Sequence, residues 1–494
     1  MKALQTGLTK LCWTAFAGVS AYAIFAVLSV AIYTGSWGGR LLLLAVLALV
    51  LAGAFTMRQT VVRAANALAD ELDAIPRHRF VTILVLLGIA LRVAWLLFAG
   101  TEPWSDYLAY WQLAQSLAEG GPYFNGSRYA YLPPGLPLLL APFIVVIGQT
   151  AAAYIVANLL LFIAACLVLW RLASMLFDER VARLALLLLV VWPNYWMLAN
   201  LPNKEMALVM LLPLGVLLYL TALRSERRGK RLALLVASGA ALGMASLCQP
   251  TALLFASVFA CAAIMLESSA LKSVGRLAVV CIAMAVTVAP WIVRNYHLFG
   301  VVAVSSAAGE SLYNGAHDGS GGGWSSGIRE KYRALSHLSE MEASDALRRE
   351  AMDWIKSHPV EFAILAVKKQ FRLLGDDASG AYSALSAPNR PAGAGSDLFV
   401  WVSNIFWLML WIVILYGLFP LGRLMRGNSA YAVLLALHLL YFFGLHSIYQ
   451  SESRHKISAY IPLAILAASI VDGRARRESA GVMQRAPAEP GRIA

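Results

Sequence analysis

The sequence predicts an all-α polytopic membrane protein, built as a bundle of about 12 transmembrane helices with further helices in its outer loops. Its composition is one reason: 60% of the 494 residues are hydrophobic and 14% are charged, against roughly 45–50% and about 25% in an average soluble domain. The second reason is that apolar runs close to the length of a spanning helix recur along the chain. These features exclude a soluble globular enzyme, a disordered chain and a disulfide-stapled secreted domain.

Charged and polar residues separate the apolar runs from one another. Some runs fall at the short end of the ~17–25 residues that a spanning helix uses. The twelve candidate spans are 11–33, 40–57, 80–99, 151–170, 184–200, 206–222, 232–248, 251–266, 277–293, 397–419, 430–448 and 457–471.

Lysine and arginine are distributed unevenly between alternate loops. If the N-terminus is cytoplasmic, the cytoplasmic segments hold 23 of these residues and the short outer loops hold 4. Cytoplasmic loops of membrane proteins carry such an excess. The net charge of +13 is therefore interpreted as an orientation signal and not as a nucleic-acid-binding surface. Both termini are predicted to lie in the cytoplasm, with the protein in the cell (inner) membrane.

The run at 133–148 is apolar enough to count as one more span, but two observations argue against a crossing. A crossing would move the basic segment RSERRGKR at 224–231 to the outside, against the charge rule. The run also contains four prolines, which disfavour a regular helix. We therefore predict a short re-entrant or interfacial helix.

This topology divides the chain into five regions. Within the long outer region, the sequence predicts one amphipathic helix at 328–357 and a second helix after Pro359, and its Gly/Ser stretch at 319–327 suggests a lid or substrate loop. The regions are an N-terminal hairpin and linker (1–79), a transmembrane core with its first outer loop at 100–150 (80–293), a large outer loop (294–396), C-terminal spanning helices (397–471) and a cytoplasmic tail (472–494).

The first outer loop contains a candidate catalytic acid. Asp106 follows the third span and precedes an aromatic-rich helical pattern, so a carboxylate at the membrane surface could act as a general base. Ser105 and Asp106 are also good helix-capping residues. Spacing alone leaves both interpretations open.

Four motifs occur in order on the predicted outer side. They are Asp106-Tyr107 followed by Gly120 and the run Tyr131-Leu-Pro-Pro-Gly-Leu-Pro; LPNKEMAL with Lys204 and Glu205; PWIVRNYHLFG followed by SSAAGESLYNG, with Arg294 in the first part; and ESRHKISAYIP with Glu452, Arg454 and Lys456. In this order they resemble the GT-C superfamily of membrane glycosyltransferases, particularly the branch of protein mannosyltransferases and aminoarabinose transferases. The resemblance covers residues from about 80 to 471.

The resemblance implies a GT-C-like bundle that transfers a sugar from a polyprenyl-phosphate donor to an acceptor hydroxyl outside the cytoplasm, with inversion. Asp106 would be the general base, and cations would stabilise the departing lipid phosphate. Glu205 is a candidate second acid. The family often has Asp-Glu where this chain has Asp106-Tyr107. The need for a divalent cation is therefore left open, and no other cofactor is expected.

Each candidate cation also has a structural interpretation. Arg454 and Lys456 could anchor the last outer turn in the lipid headgroups, Arg294 could end its span, and Lys204 could pair with Glu205. The candidates for binding donor or phosphate are Lys204, Arg294, Arg454, Lys456 and Tyr131.

Two other functions stay open at this point. A lipid or glycan transporter or flippase would typically show paired repeats and broken helices near mid-membrane, and no such symmetry is evident in the sequence. An O-antigen-ligase-like enzyme with a diphosphate-linked donor would share the architecture. The expected partners are the lipid-linked sugar, the bilayer, and an acceptor that could be lipid, glycan or protein.

Overall fold

The structure is a computed structural model in which residues 2–34, 67, 70–267, 269–317, 319–386, 395–418 and 429–485 are described. Throughout these ranges the regular secondary structure is helical, and no β-strand occurs in them. The prediction of an all-α architecture is confirmed.

The helices vary from short connectors to elements of 30 residues or more. Within the described residues the first ten are α1 (Lys2–Thr34), α2 (Arg77–Ala99), α3 (Ser105–Ala118), α4 (Gly135–Ile147), α5 (Ala151–Leu176), α6 (Glu179–Val191), α7 (Pro193–Met197), α8 (Lys204–Arg224), α9 (Arg228–Cys248) and α10 (Ala256–Leu266). They are followed by α11 (Ala270–Phe299), α12 (Ala307–Gly315), α13 (Ile328–Ala334), α14 (Glu340–Ser357), α15 (Pro359–Leu374), α16 (Ser379–Leu385), α17 (Gly395–Leu418), α18 (Ser429–Ile448) and α19 (Tyr460–Arg485). Short 3₁₀ segments occur at Leu198–Asn200, Pro250–Phe255 and Ser453–Ala459.

Eight helices in the described part of the chain are long and apolar enough to cross a membrane, or nine if one bent pair counts as a single span. They coincide with most of the predicted spans, but the predicted number of twelve is not confirmed. The predicted span at 40–57 lies outside the described residues, as do most of the linker after it and the end of the C-terminal tail.

The predicted straight span at 184–200 is wrong, because the chain bends by 52° between α6 and the segment Pro193–Asn200. Proline cannot continue the hydrogen-bond ladder of a helix, and it also restricts the residue before it. Trp192 accordingly adopts an extended conformation, with φ −62° and ψ 111°. The break turns the chain towards the start of α8.

The apolar run with four prolines forms a short helix. The run at 133–148 forms α4, a helix of 13 residues that extends only about 20 Å, shorter than the ~30 Å hydrocarbon core.

The single helix predicted over 328–357 is wrong, because the segment is divided into α13 and α14. A capping box between Ser339 and Glu342 starts α14, and such a box satisfies backbone donors at a new helix start.

Helix α9 packs against both α8 and α11. Small residues on α9 allow this close approach, as is common between membrane helices. A Cβ atom at Gly239 would lie 2.3 Å from the carbonyl oxygen of Val280 on α11. The C-terminal helix α19 packs against α6, and α1 packs against α17 and α18.

The Gly/Ser stretch at 319–327 is hydrogen-bonded to neighbouring segments through its backbone atoms. Residue 318, just before it, lies outside the described residues. The Gly322 carbonyl accepts a hydrogen bond from Ser451 N at 2.9 Å, and Glu452 Oε1 accepts one from Trp324 N at 2.8 Å. Arg372 Nε donates to the Gly321 carbonyl at 2.9 Å. The first two bonds link the stretch to the connection that contains Arg454, and the third links it to α15.

Candidate active site

Asp106 lies in the first turn of α3, directly after a strained residue. Ser105 has φ 53°, a left-handed conformation that costs a non-glycine residue about 1–3 kcal/mol. The segment is held on both sides of this residue by α16: Trp104 Nε1 donates to the Ser383 carbonyl at 2.7 Å, and the Tyr107 hydroxyl lies 2.7 Å from Ser383 Oγ. These contacts fix the direction in which Asp106 projects.

The capping interpretation of Asp106 is wrong for the observed helix. The N-cap position of α3 is occupied by Trp104, and no side chain caps the helix there. Asp106 Oδ2 instead accepts a hydrogen bond from Arg454 Nη2 at 3.1 Å. The side chain of Asp106 is 43% exposed and that of Arg454 is 29% exposed. The pair is therefore accessible to a ligand. The fold brings the two residues together across 348 positions of the chain.

Lys204 and Glu205 start α8 beside this pair. Asn203 caps the helix by accepting a hydrogen bond from Met206 N at 3.1 Å, and its amide nitrogen donates to the carbonyls of Leu198 and Leu201. The charge of Lys204 interacts with those of Glu205, Arg454 and Asp106. The positive end of the α8 dipole lies in the same region, so a second cation and a helix N-terminus add positive potential near the Asp106–Arg454 pair.

A second carboxylate, which the sequence interpretation did not single out, lies next to Tyr131. Glu310 on α12 accepts hydrogen bonds from the hydroxyls of Tyr131 at 3.0 Å and Tyr332 at 2.9 Å. Arg128 Nη1 lies 3.8 Å from Glu310 Oε2, and the guanidinium stacks over both tyrosine rings. The charge of Glu310 also interacts with that of Asp106, so this cluster adjoins the Asp106–Arg454 pair.

Burial raises the pKa of Glu310 above its usual value, while the hydrogen bonds from Tyr332 and Tyr131 and the charge of Arg128 partly oppose this effect. Burial also raises the pKa of Tyr131, with the charge of Glu310 as the next cause. Burial raises the pKa of Tyr332 as well, so both tyrosines stay neutral and donate to the carboxylate. A sequence signal for Glu310 did exist, since it is the one acidic residue in the motif SSAAGESLYNG.

Arg294 is engaged in fastening a loop. Its guanidinium donates to the carbonyls of Tyr129 at 2.9 Å and Tyr123 at 3.0 Å, and it stacks on the ring of Trp291 at 4.3 Å. It joins the end of α11 to the loop before α4. Among the described residues, Arg294 forms no hydrogen bond or ion pair with Asp106 or Arg454.

Lys456 lies in a buried polar network. Its ammonium forms an ion pair with Asp377 at 3.2 Å, and both side chains are 0% exposed. Asp377 also accepts hydrogen bonds from Trp192 at 2.8 Å, Asn194 at 3.1 Å and Tyr460 at 2.5 Å. The network fixes the 3₁₀ segment that presents Arg454, so it favours a positioning role for Lys456.

The acidic residues near the site do not form a recognised metal-binding group. Within the described ranges, no group of three or more His, Cys, Asp or Glu side chains has the arrangement of a metal site. His317, in the Gly-rich loop, stacks on Tyr313 with ring centroids 4.2 Å apart, and Asp318 lies outside the described residues.

Part of the chain matches a known protein family. Residues 132–293, about a third of the chain, match the family model described as dolichyl-phosphate-mannose-protein mannosyltransferase. The matched region contains Lys204 and Glu205, whereas Asp106, Arg294 and Arg454 lie outside it. The match confirms the resemblance to GT-C superfamily membrane glycosyltransferases that the sequence motifs predict. No curated protein sequence matches the chain significantly.

Solved structures of membrane glycosyltransferases are similar over most of the chain. The apo oligosaccharyltransferase of Archaeoglobus fulgidus is 14% identical with a TM-score of 0.49, and the match covers 84% of this chain and 52% of that one. The oligosaccharyltransferase AglB of the same organism, in complex with an inhibitory peptide and a dolichol-phosphate, is 13% identical with a TM-score of 0.48 over the same shares. ArnT from Cupriavidus metallidurans, bound to undecaprenyl phosphate, is 14% identical with a TM-score of 0.41, covering 85% of this chain and 82% of that one. The chain thus spans about half the length of the oligosaccharyltransferases that it matches.

Proposed function

We propose that this protein is a membrane glycosyltransferase that moves a sugar from a polyprenyl-phosphate donor to an acceptor hydroxyl on the extracytoplasmic face, with inversion at the anomeric carbon. The observation that carries the proposal is the contact between Asp106 and Arg454 at 3.1 Å. This contact joins an accessible carboxylate to a cation. The two residues belong to the first and the last of the four motifs whose order resembles the GT-C superfamily. The name of the matched family, which specifies a dolichyl-phosphate-linked mannose, supports a lipid-phosphate donor.

Asp106 has the chemistry and the exposure of a general base. As the acceptor oxygen attacks the anomeric carbon, the carboxylate would take the hydroxyl proton. Displacement by the acceptor breaks the bond between the anomeric carbon and the phosphate oxygen, and the electron pair leaves with the lipid phosphate. One base is sufficient for this single displacement, so no covalent glycosyl-enzyme is required.

Arg454 and Lys204 would stabilise the departing phosphate. Negative charge grows on the phosphate oxygens during displacement, and fixed cations lower the energy of that state. Arginine offers two parallel donors to a phosphate, whereas lysine acts as a point charge. Because Arg454 contacts Asp106 directly at 3.1 Å, the proposed base and the proposed phosphate-binding cation lie side by side.

Glu205 and Tyr131 belong to the walls of this proposed site. Glu205 is buried at the start of α8, so its charge would help to hold Lys204 and Arg454 in place. Tyr131 donates to Glu310, and the two together are placed to orient the acceptor beside Asp106. Arg294 and Lys456 are assigned to the fastening of the loop and of the 3₁₀ segment.

The uneven distribution of charge supports the proposed orientation. The basic segment at 224–231 follows the end of α8, whereas Lys204 begins that helix. The two therefore lie about 30 Å apart on opposite ends of the bundle. By the positive-inside rule the basic end is expected to be cytoplasmic, which supports the proposal that Asp106 lies outside.

The proposal is tested by mass spectrometry of polyprenyl-linked species and cell-surface glycans in cells with and without the protein. Cells that express Asp106→Asn should accumulate the same lipid-linked sugar as cells without the protein. Glu102→Gln is the matched control, because Glu102 is an exposed acid in the same segment, and it should behave like wild type. Normal glycans with Asp106→Asn, or movement of the lipid without a new glycosidic bond, would refute the proposal.

A further inference from the structure

A basic cleft lies at the end of the bundle away from Asp106. It has a volume of about 350 Å³ and is formed where α9 and α11 begin. Four cationic side chains line it: Arg228, Arg231, Lys272 and Arg276. Helix α8 separates this cleft from the candidate active site by its full length of 21 residues, about 30 Å.

Most of the positive charge in the cleft is uncompensated. Arg276 pairs with Glu267 at 2.5 Å, and Glu267 also accepts a hydrogen bond from Tyr219. None of the ion pairs found in the described part of the chain includes the side chains of Arg228, Arg231 or Lys272. Three cations therefore face the cleft without a carboxylate partner among those pairs.

The position of these cations opposes helix stability. Arg228 and Arg231 lie in the first turn of α9, and Lys272 lies in the first turn of α11. The N-terminal end of a helix carries a partial positive charge, so cations there are unfavourable and anions are favourable. An anionic ligand between the two helix starts would satisfy the cationic side chains and the backbone N–H groups at the start of α9, where no side chain caps the helix.

The cleft continues into an apolar surface. Leu232, Leu235 and Val279 line its inner part. Beyond it along the same side of α11, aliphatic side chains are exposed, with Ile282 63% and Val286 65% exposed. A ligand that fits both parts has an anionic head and hydrocarbon tails.

We infer that this cleft binds the headgroup of an anionic phospholipid, with the acyl chains lying along α11. Basic pockets between spanning helices on the cytoplasmic side are known to accept such headgroups. The site is independent of the proposed transferase reaction, because none of its residues belongs to the cluster around Asp106.

The test is native mass spectrometry of the full-length protein in detergent, titrated with dioleoyl phosphatidylglycerol, dioleoyl phosphatidylcholine or inorganic phosphate. Phosphatidylglycerol should bind, and Arg231→Gln and Lys272→Gln should each weaken it by about fivefold, since a cation near an anionic lipid contributes about a factor of that size. Lys230→Gln is the matched control, since it removes a neighbouring charge that does not line the cleft, and it should bind as wild type does.

A second variant blocks the cleft without changing charge. A Cβ atom at Gly275 meets no other atom within 4 Å, so the side chain of Gly275→Leu starts in open space at the wall of the cleft. It should reduce bound phosphatidylglycerol to the level of phosphatidylcholine while the melting temperature does not fall below that of wild type, because leucine is the better helix former. Equal binding of the two lipids, equal losses in Lys230→Gln and Arg231→Gln, or an equally strong and variant-sensitive complex with inorganic phosphate would overturn the inference.

Discussion

At the scale of the residue, the partners of a side chain decide between interpretations that the sequence leaves open. Asp106 could cap α3 or face a substrate, and its hydrogen bond to Arg454 with Trp104 at the N-cap excludes the capping role. Arg454 and Lys456 are two positions apart, yet one faces Asp106 and the other is buried against Asp377. In a 3₁₀ segment with about three residues per turn, such positions point to different sides.

Glu310 should make the stability of the folded protein depend on pH. A carboxyl whose pKa is raised by folding holds its proton more tightly in the folded state, so stability falls as pH rises from the unfolded value through the folded value. Glu310→Gln removes that group and should flatten the decrease. Melting temperatures in detergent between about pH 4 and about pH 8 measure the effect.

The control for this prediction is Glu330→Gln, because Glu330 is an exposed acid of the same outer region. Its melting temperature should follow that of wild type with pH. Parallel curves for wild type and Glu310→Gln would show that burial of this carboxylate does not influence stability.

At the scale of the element, buried polar contacts hold the irregular segments that carry the candidate site. The 3₁₀ segment before α19 depends on the Lys456–Asp377 pair, and the turn before α8 depends on the side chain of Asn203. Breaking one side of a buried ion pair is costly because it leaves the other charge uncompensated. These elements should therefore respond to single and paired substitutions differently.

Lys456→Met and Asp377→Asn should each lower the free energy of unfolding by about 3–5 kcal/mol, whereas the double variant should lose much less than the sum. Thermal or denaturant melting in detergent measures the three values. If Lys456 has a positioning role, the double variant should also regain transfer activity in proportion to the folded protein. A double variant that is well folded but inactive would assign Lys456 to the donor instead.

At the scale of the whole molecule, the two ends of the bundle carry different chemistry. The end at which α8 begins holds the carboxylates with their paired cations, and the other end holds the basic cleft of α9 and α11. This separation is what the charge distribution predicts for a protein with its active site outside the cytoplasm.

Labelling of single cysteines in intact cells should report that orientation. In a background without the five native cysteines, a membrane-impermeant maleimide should label Ser326→Cys and should leave Glu226→Cys unlabelled until the cells are opened. Both positions are exposed in the structure, so access depends on the side of the membrane. The reverse labelling pattern would invert the proposed topology.

Much of this architecture could be predicted because hydropathy and charge act locally along the chain. The spans and the common end of Asp106, Lys204 and Arg454 follow from the lengths of apolar runs and from the loop charges. The bend at Pro193 was missed because the apolar run continues through it. The contact of Asp106 with Arg454, and that of Glu310 with Tyr131 and Tyr332, depend on tertiary packing between distant segments, which no local pattern specifies.

The central claim is that Asp106 performs chemistry while Arg454 holds the donor phosphate. The most direct test measures donor binding and transfer rate separately in purified Asp106→Asn and Arg454→Gln, with Glu102→Gln as the control. We expect Asp106→Asn to bind the polyprenyl-phosphate sugar as wild type does but to transfer it at least about 10²-fold more slowly, and Arg454→Gln to lose donor affinity by about tenfold or more. Transfer at the wild-type rate by Asp106→Asn, or wild-type donor affinity and rate in Arg454→Gln, would contradict the account.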